Sequence, residues 1–340
     1  MTIKSAGIVG TGLYVPKKVI TNDWFDESML LSIDNIFDEA GVKERRFCAE
    51  NEKASDMEVK ALLSAVKNAK ISIDDIELIL DGPSLHDQLM PGNAATLQHK
   101  SGAKNAASMN VETACTSLIS QIVIASNLIA TGAYKTIACV VSANWSRVAD
   151  YTEKSCMFIG DGASAVIMQA VSEGKGVLAH HLETDGETCD GLGINMRLPR
   201  AYIQDYQATD YLKSPKERLY FYIDRKHAGF KEIKNSGPTK TPDVAKKALA
   251  KAGYTQSDID FLISHNPSNI LTKLWREALD VPIEKTYTSI EKYGNMSAAS
   301  IGANLHEASV KGKLKDGDIV VMCAPGAGYH YASVVLKWGK

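Results

Sequence analysis

The sequence predicts an α/β fold built from two similar halves, and three observations predict it. Short apolar runs of strand length alternate along the chain with segments of helical period. A helix, a polar turn and a buried strand recur: Ala61, Ala65, Val66, Ala69, then Asp75 to Ile79, answer to Val244, Ala248, Leu249, Ala252, then Asp258 to Leu262, at an offset of 183. A second helix and strand, Ser120 to Gly132 and Ile137 to Val141, answer to Ser300 to Gly312 and Ile319 to Met322, with Gly132 and Gly312 offset by 180. Two nearly equal offsets argue for a duplicated unit with a pseudo-twofold, residues 1–172 and 173–340. The alternative is a chance likeness between amphipathic segments.

Taken in order, Ala6 to Val9, Leu78 to Leu80, Ile137 to Val141 and Ala165 to Met168 read as strands, and Met57 to Ala69 as a helix. Gly10, Thr11 and Gly12 follow the first strand, but Val15 stands where a dinucleotide loop needs its third glycine, so the pair reads as a turn. Leu118 to Ala130 is apolar nearly all round, with only Gln121 and Asn127 as larger polar residues, and should be buried. Its counterpart carries Ser297, Ala298, Ala299, Ser300, Gly302 and Ala303, small enough for a close neighbour, so the two helices are expected face to face at the centre. Both are expected to end in a left-handed cap, on Gly132 and Gly312.

Composition narrows the function. With 45% hydrophobic and 23% charged residues the chain is ordinary globular material, and 38 basic against 40 acidic residues leave a net charge of only -2. No global field favours nucleic acid or an anionic membrane, so a charged partner must meet a local patch. Neither a membrane-spanning run nor a signal peptide is read, and a cytoplasmic protein is expected. Six dispersed cysteines with no C-x-x-C pair argue for thiols and against a metal or dithiol site.

One of those thiols is well placed. Cys115 follows Val111, Glu112, Thr113 and Ala114 and precedes the buried helix, where unsatisfied N–H groups favour thiolate and lower its pKa. Taken alone, it is equally a small residue filling a core gap. At the equivalent end of Phe261 to Ile263 stands His265, at the carboxyl edge of a strand where α/β proteins build sites. Asn295 precedes the small-residue helix, as a helix cap or as a third member of the group.

Ala114 with Cys115, His265 with Asn266, Tyr293 to Ala299 (YGNMSAA), Phe158 to Ala165 (FIGDGASA) and Pro325 to Gly328 (PGAG) resemble, in order and spacing over nearly the whole chain, the signatures of the thiolase superfamily, in its ketoacyl synthase III branch. The resemblance implies a five-layered αβαβα fold from two pseudo-twofold related halves. It implies that Cys115 is acylated by an acyl-CoA or acyl-carrier-protein thioester. His265 and Asn295 would then hold the carbonyl of a malonyl-type thioester as carbon dioxide leaves, two neutral donors at one developing oxyanion. The N–H groups of Cys115 and Ala327, the latter between Gly326 and Gly328, would form a second oxyanion hole, and Phe158, Gly160 and Asp161 would support the site. No cofactor or metal is implied, since CoA or phosphopantetheine thioesters are the substrates, and a homodimer is implied.

Several positions depart from that pattern. The tryptophan and arginine that clamp the CoA adenine in fatty-acid-initiating members are missing from Asn35 to Ala40, although Trp24 precedes and Arg45 and Arg46 follow. A pantetheine-binding asparagine is replaced by Ser268, with Asn269 next to it. The usual arginine has become Ile270, leaving Lys273 and Arg276 as the nearest basic residues for an acidic carrier protein. Met90 stands where the family puts an aromatic that enters the partner's acyl tunnel, and reads either as a wider gate or as interface packing. Glu112, three residues before Cys115, reads either as an accessory base or as a charge satisfied at a dimer contact. The expected function is a condensing acyltransferase of fatty-acid-like or polyketide metabolism. The alternatives are acyl transfer to a hydroxyl or amine, or a non-catalytic subunit of a condensing complex.

Overall fold

The computed structural model describes residues 4–29, 40–149, 151, 154–196, 219–223 and 228–340. In chain order the strands that build the two main sheets are β1 (Ala6–Tyr14), then, after the ribbon β2 (Lys18–Thr21) and β3 (Glu44–Phe47), β4 (Leu78–Pro83), β5 (Ala107–Asn110), β6 (Thr136–Ala143), β7 (Gly162–Ala170) and β8 (Gly176–Thr184). The small ribbon β9 (Leu192–Met196) and β10 (Leu219–Ile223) precedes β11 (Phe261–Ser264), β12 (Ile319–Gly326) and β13 (His330–Lys337). The helices are α1 (Asn22–Met29), α2 (Ala54–Ala69), α3 (Asn93–Ser101), α4 (Ser117–Ala130), α5 (Ala228–Lys251), α6 (Asn269–Ala278), α7 (Ile290–Tyr293) and α8 (Ala298–Val310).

The first sheet runs β1-β7-β6-β4-β5 and the second β8-β13-β12-β11. In each sheet one pair is parallel, β4 with β6 and β11 with β12, and the next two pairs are antiparallel, with β5 added in parallel at the edge of the first, so β1, β7, β6 and β4 correspond to β8, β13, β12 and β11. The register repeats as well: Leu78 pairs with Ile137 and Phe261 with Val320, each partner displaced by 183. One apolar cluster, with Leu118, Ile119 and Ile122 of α4 and Ala299, Ile301 and Leu305 of α8, lies between the sheets and takes side chains from both. The outer faces are covered separately, the first by α2 and α3 through Leu62, Val66 and Leu97, the second by α5 through Ala245, Ala248 and Leu249. The result is the αβαβα stack, with α4 and α8 in its middle layer. Gly132 and Gly312 take positive φ, 76° and 66°, as the expected caps require.

Two expectations are corrected. Gly10 to Gly12 is not a turn but the interior of β1, where a Cβ on Gly12 would lie 2.2 Å from the Ala61 carbonyl oxygen of α2; the glycines let the helix close on the strand. Helix α4 is buried, but not by hydrophobicity alone. Ile124 is exposed, while Gln121 is fully buried and its amide donates to the Val111 and Val140 carbonyls, tying the segment before Cys115 to β6.

Candidate active site

Cys115 sits on a turn that its neighbours lock. Thr116 Oγ1 and Ser117 Oγ donate to the carbonyls of Thr113 and Ala114, and the Thr113 N–H donates to Ser117 Oγ. Ala114 is forced to a positive φ of 50°, a backbone region that costs a side-chain-bearing residue of order 1–3 kcal/mol and that gathers at functional sites. The second half repeats the device 183 residues on, where Ser297 takes a φ of 49° just before α8. The two strained turns meet: Cys115 Sγ lies 3.3 Å from Ser297 Oγ. The backbone N–H groups of Ala327 and of Cys115 itself favour the ionised thiol. Gly326 packs where a Cβ would fall 2.9 Å from the Thr113 oxygen and 3.2 Å from the Cys115 nitrogen, so only glycine lets β12 approach the turn this closely.

The helix-terminus expectation of a lowered thiol pKa is overturned. Burial pushes the Cys115 thiol up to about 11, and the Glu112 charge adds to the rise, against the Ser297 hydroxyl and the N–H groups of Ala327 and Cys115. The site stores a protonated thiol among donors ready for an anion.

Asn295 is fixed between two strand-like backbone contacts, its N–H donating to Phe158 O at 2.7 Å and its carbonyl accepting from Gly160 N–H at 3.0 Å. Its side-chain oxygen accepts from Ser297 N–H at 2.8 Å, which turns the amide NH2 free to donate. Asp161 accepts from the backbone N–H groups of Cys48 and Ser146 and from the Ser146 hydroxyl, so it braces the loop. His265 follows β11, with its N–H on Cys323 O and its side chain almost wholly buried. Burial pulls its pKa down to about 3, and Nδ1 has no hydrogen-bond partner among the described residues, so the ring is a neutral imidazole held in reserve. Its neighbour Asn266 forms a reciprocal amide pair with Asn304 of α8, and Asn304 also donates to Ser264 O. The segment carrying His265 is thereby pinned to the helix that follows Asn295.

Ser297 and Asn304 escaped sequence reasoning. The signal for Ser297 was present, since the same offset of 183 carries Ala114 onto it; nothing local marks Asn304.

Of the other expected site residues, Glu112 accepts the Ala114 N–H at 2.7 Å and lines a cavity beside the turn. Met90 is 87% exposed in the single chain. Ser268 spends its hydroxyl capping α6, accepting from Leu271 N–H, and Asn269 packs against Gly41. Arg276 is committed to Val281 O and Glu277, whereas Lys273 reaches solvent with Glu277 at 3.9 Å. With Asn269, Lys273 and Arg276 line a second cavity of about 350 Å³. Residues 35–39 of the clamp stretch lie outside the described residues; Arg45 is fully buried, donating to Ile20 O, Asn22 and Met157 O, and is structural. Among the described residues no group of His, Cys, Asp or Glu is placed to hold a metal, and no helix is long and apolar enough to cross a membrane.

The family model for 3-oxoacyl-[acyl-carrier-protein] synthase III matches residues 109–186, which contain Cys115, and its C-terminal counterpart matches 249–338, which contain His265 and Asn295. A β-ketoacyl-[acyl-carrier-protein] synthase III of Bacillus cereus is 34% identical over 99% of this chain and 100% of its own. The chain belongs to the ketoacyl synthase III family. It is an acyltransferase of the condensing kind. The crystal structure of 3-oxoacyl-[acyl-carrier-protein] synthase III from Aquifex aeolicus superposes with a TM-score of 0.86 at 28% identity, covering 98% of this chain and 100% of that one. The priming β-ketosynthase of the R1128 polyketide pathway shares the fold, with a TM-score of 0.87 at 21% identity over 100% and 98% of the two chains.

Proposed function

We propose that this ketoacyl synthase III carries an acyl group on Cys115 and condenses it with a malonyl- or β-ketoacyl-type thioester, in fatty-acid-like or specialised polyketide synthesis. The supporting observation is the meeting of two strained turns, one from each half, at the Cys115 thiol. In the first step Cys115 Sγ attacks the carbonyl of an acyl-CoA or acyl-carrier-protein thioester. The N–H groups of Cys115 and Ala327 receive the oxyanion, the donor thiolate leaves, and the cysteine proton departs with it. In the second step the NH2 of Asn295 and the neutral ring of His265 hold the thioester carbonyl of the malonyl group. Carbon dioxide leaves, the enolate carbon attacks the acyl-cysteine carbonyl, and the carbon–sulfur bond breaks to release Cys115 as a thiolate, which takes one proton from solvent to regain the resting thiol. A neutral histidine suits this role, because a donor that carries no charge need not be desolvated as a cation.

No resident cofactor or metal is required. Lys273 and Arg276 are the cations that would meet an acidic carrier protein at the α6 cavity, and the halves 1–172 and 173–340 each contribute one side of the site. A homodimer is supported by β5, an exposed sheet edge, and by the neighbouring solvent-facing Leu89 and Met90. Light scattering should then report twice the 36.8 kDa of one chain.

The deciding experiment pairs intact mass with carbon dioxide release. An acyl adduct lost in Cys115→Ala, with malonyl decarboxylation lost in Asn295→Ala, supports condensation. An adduct without decarboxylation would indicate transfer to a hydroxyl or amine, and no adduct with any thioester would leave a non-catalytic subunit.

A further inference from the structure

We infer that the cavity beside Cys115 selects a short acyl group bearing a hydrogen-bond donor, a hydroxyl or an ammonium group, in preference to a plain alkyl chain; this rests on Cys115 being the acyl acceptor. A cavity of about 380 Å³ adjoins the nucleophile, at the small end of the range for ligand sites. Its inner end is formed by Ala114, Ser297 and Ala327, the residues that surround the thiol. Pro83, Trp145, Leu192 and Ile194 supply apolar wall. A pocket for a hydrocarbon tail would continue in that manner, but Ser84, His86 and Glu112 face the same space.

These three groups hold unspent hydrogen-bonding capacity. Glu112 uses one carboxylate oxygen on the Ala114 N–H and has no other partner among the described residues. Ser84 Oγ is buried and has no hydrogen-bond partner among the described residues. His86 accepts the Asn93 N–H at Nδ1, which places the ring proton on Nε2, and burial lowers its pKa, so it is neutral. A plain alkyl chain would desolvate a carboxylate oxygen and a hydroxyl and return nothing, whereas a hydroxyl on the acyl group donates to Glu112 and accepts from Ser84, and an ammonium donates to both. A terminal carboxylate would meet Glu112 as a like charge. The expected order is hydroxyl or ammonium, then methyl, then carboxylate.

The test uses the full-length protein and pantetheine thioesters, the arm common to CoA and carrier protein. Formation of acyl-Cys115 is followed by intact mass with butyryl, 3-hydroxybutyryl, 3-aminobutyryl and succinyl donors. The hydroxy and amino donors should acylate about tenfold faster than butyryl, the worth of one recovered hydrogen bond, with succinyl slowest. In Glu112→Ala the hydroxybutyryl-to-butyryl ratio should fall toward one, and Glu112→Gln should lose the amino preference while keeping the hydroxy one. Butyryl as the fastest donor of the wild-type protein overturns the inference while leaving Cys115 acylation intact. So does a hydroxybutyryl-to-butyryl ratio unmoved in both Glu112→Ala and His86→Phe. If no donor labels Cys115, the parent reading fails and this one with it.

Discussion

Ser297→Ala removes the hydroxyl that lies 3.3 Å from Cys115 Sγ and changes little else, since alanine is as strained as serine at a φ of 49°. The hydroxyl lowers the thiol's pKa, against the burial that raises it to about 11. A hydrogen bond to a charged group is worth about 1.5–3 kcal/mol, and this long one belongs at the low end. Losing it should raise the Cys115 pKa by about one unit, because 1.36 kcal/mol is one unit. Thiolate at pH 8 is about one part in a thousand for a thiol at about 11, so the variant should be alkylated by iodoacetamide about tenfold more slowly. Peptide-resolved mass spectrometry from pH 7 to 10 isolates Cys115 from the other cysteines, and thermal melting checks the fold. The rate profile should move along the pH axis with its slope unchanged. An unmoved profile, or a faster rate at every pH from the space opened, would refute the claim that Ser297 stabilises the thiolate.

Gly302→Ala should cost about 1–3 kcal/mol, read as a lower melting temperature, because a Cβ there would lie 2.1 Å from Ser164 Oγ and 2.6 Å from Ser164 Cβ. His265, held at about 3, refuses a proton that the unfolded chain takes up below about 6.5. Its stability contribution is present above that pH and is lost as pH falls toward 3, by up to about 1.4 kcal/mol per unit. Urea midpoints of His265→Asn should lack that part of the wild-type slope between pH 6 and 4. Glu58 has the opposite sign: burial lifts it to about 7, so its contribution is present in full below the ordinary carboxylate range and is lost as pH rises through about 7. Glu58→Gln should therefore flatten the stability profile between pH 5 and 8, and an unchanged profile in urea titrations would show that Glu58 is ionised in the folded chain at an ordinary pKa.

The repeat was legible in the sequence, and motif spacing singled out Cys115, His265 and Asn295, because duplication and motif spacing are one-dimensional facts; the order of the strands came only from the structure. The offset of 183 even carries the strand register, since Leu78 and Ile137 project onto Phe261 and Val320, which do pair. Local reasoning failed where a distant partner decided the outcome. Gly10 to Gly12 resembled a turn until α2 closed on the strand, and Gln121, one of the two larger polar residues of an apolar helix, found buried partners in the Val111 and Val140 carbonyls. The partners of Ser268 and Arg276 were equally out of reach of the sequence: the Ser268 hydroxyl caps the start of α6, and Arg276 binds Val281 O beyond its end while also lining the α6 cavity.

The state of the thiol shows most plainly what sequence and structure each determined. Sequence placed Cys115 at a helix N-terminus, which by itself lowers a thiol's pKa. Tertiary structure enclosed it between the two halves, where burial outweighs the donors that face it and keeps the proton on sulfur. A helix end is local and can be read from a few residues. Desolvation depends on every chain segment that closes over the group, and only the folded chain brings those segments together.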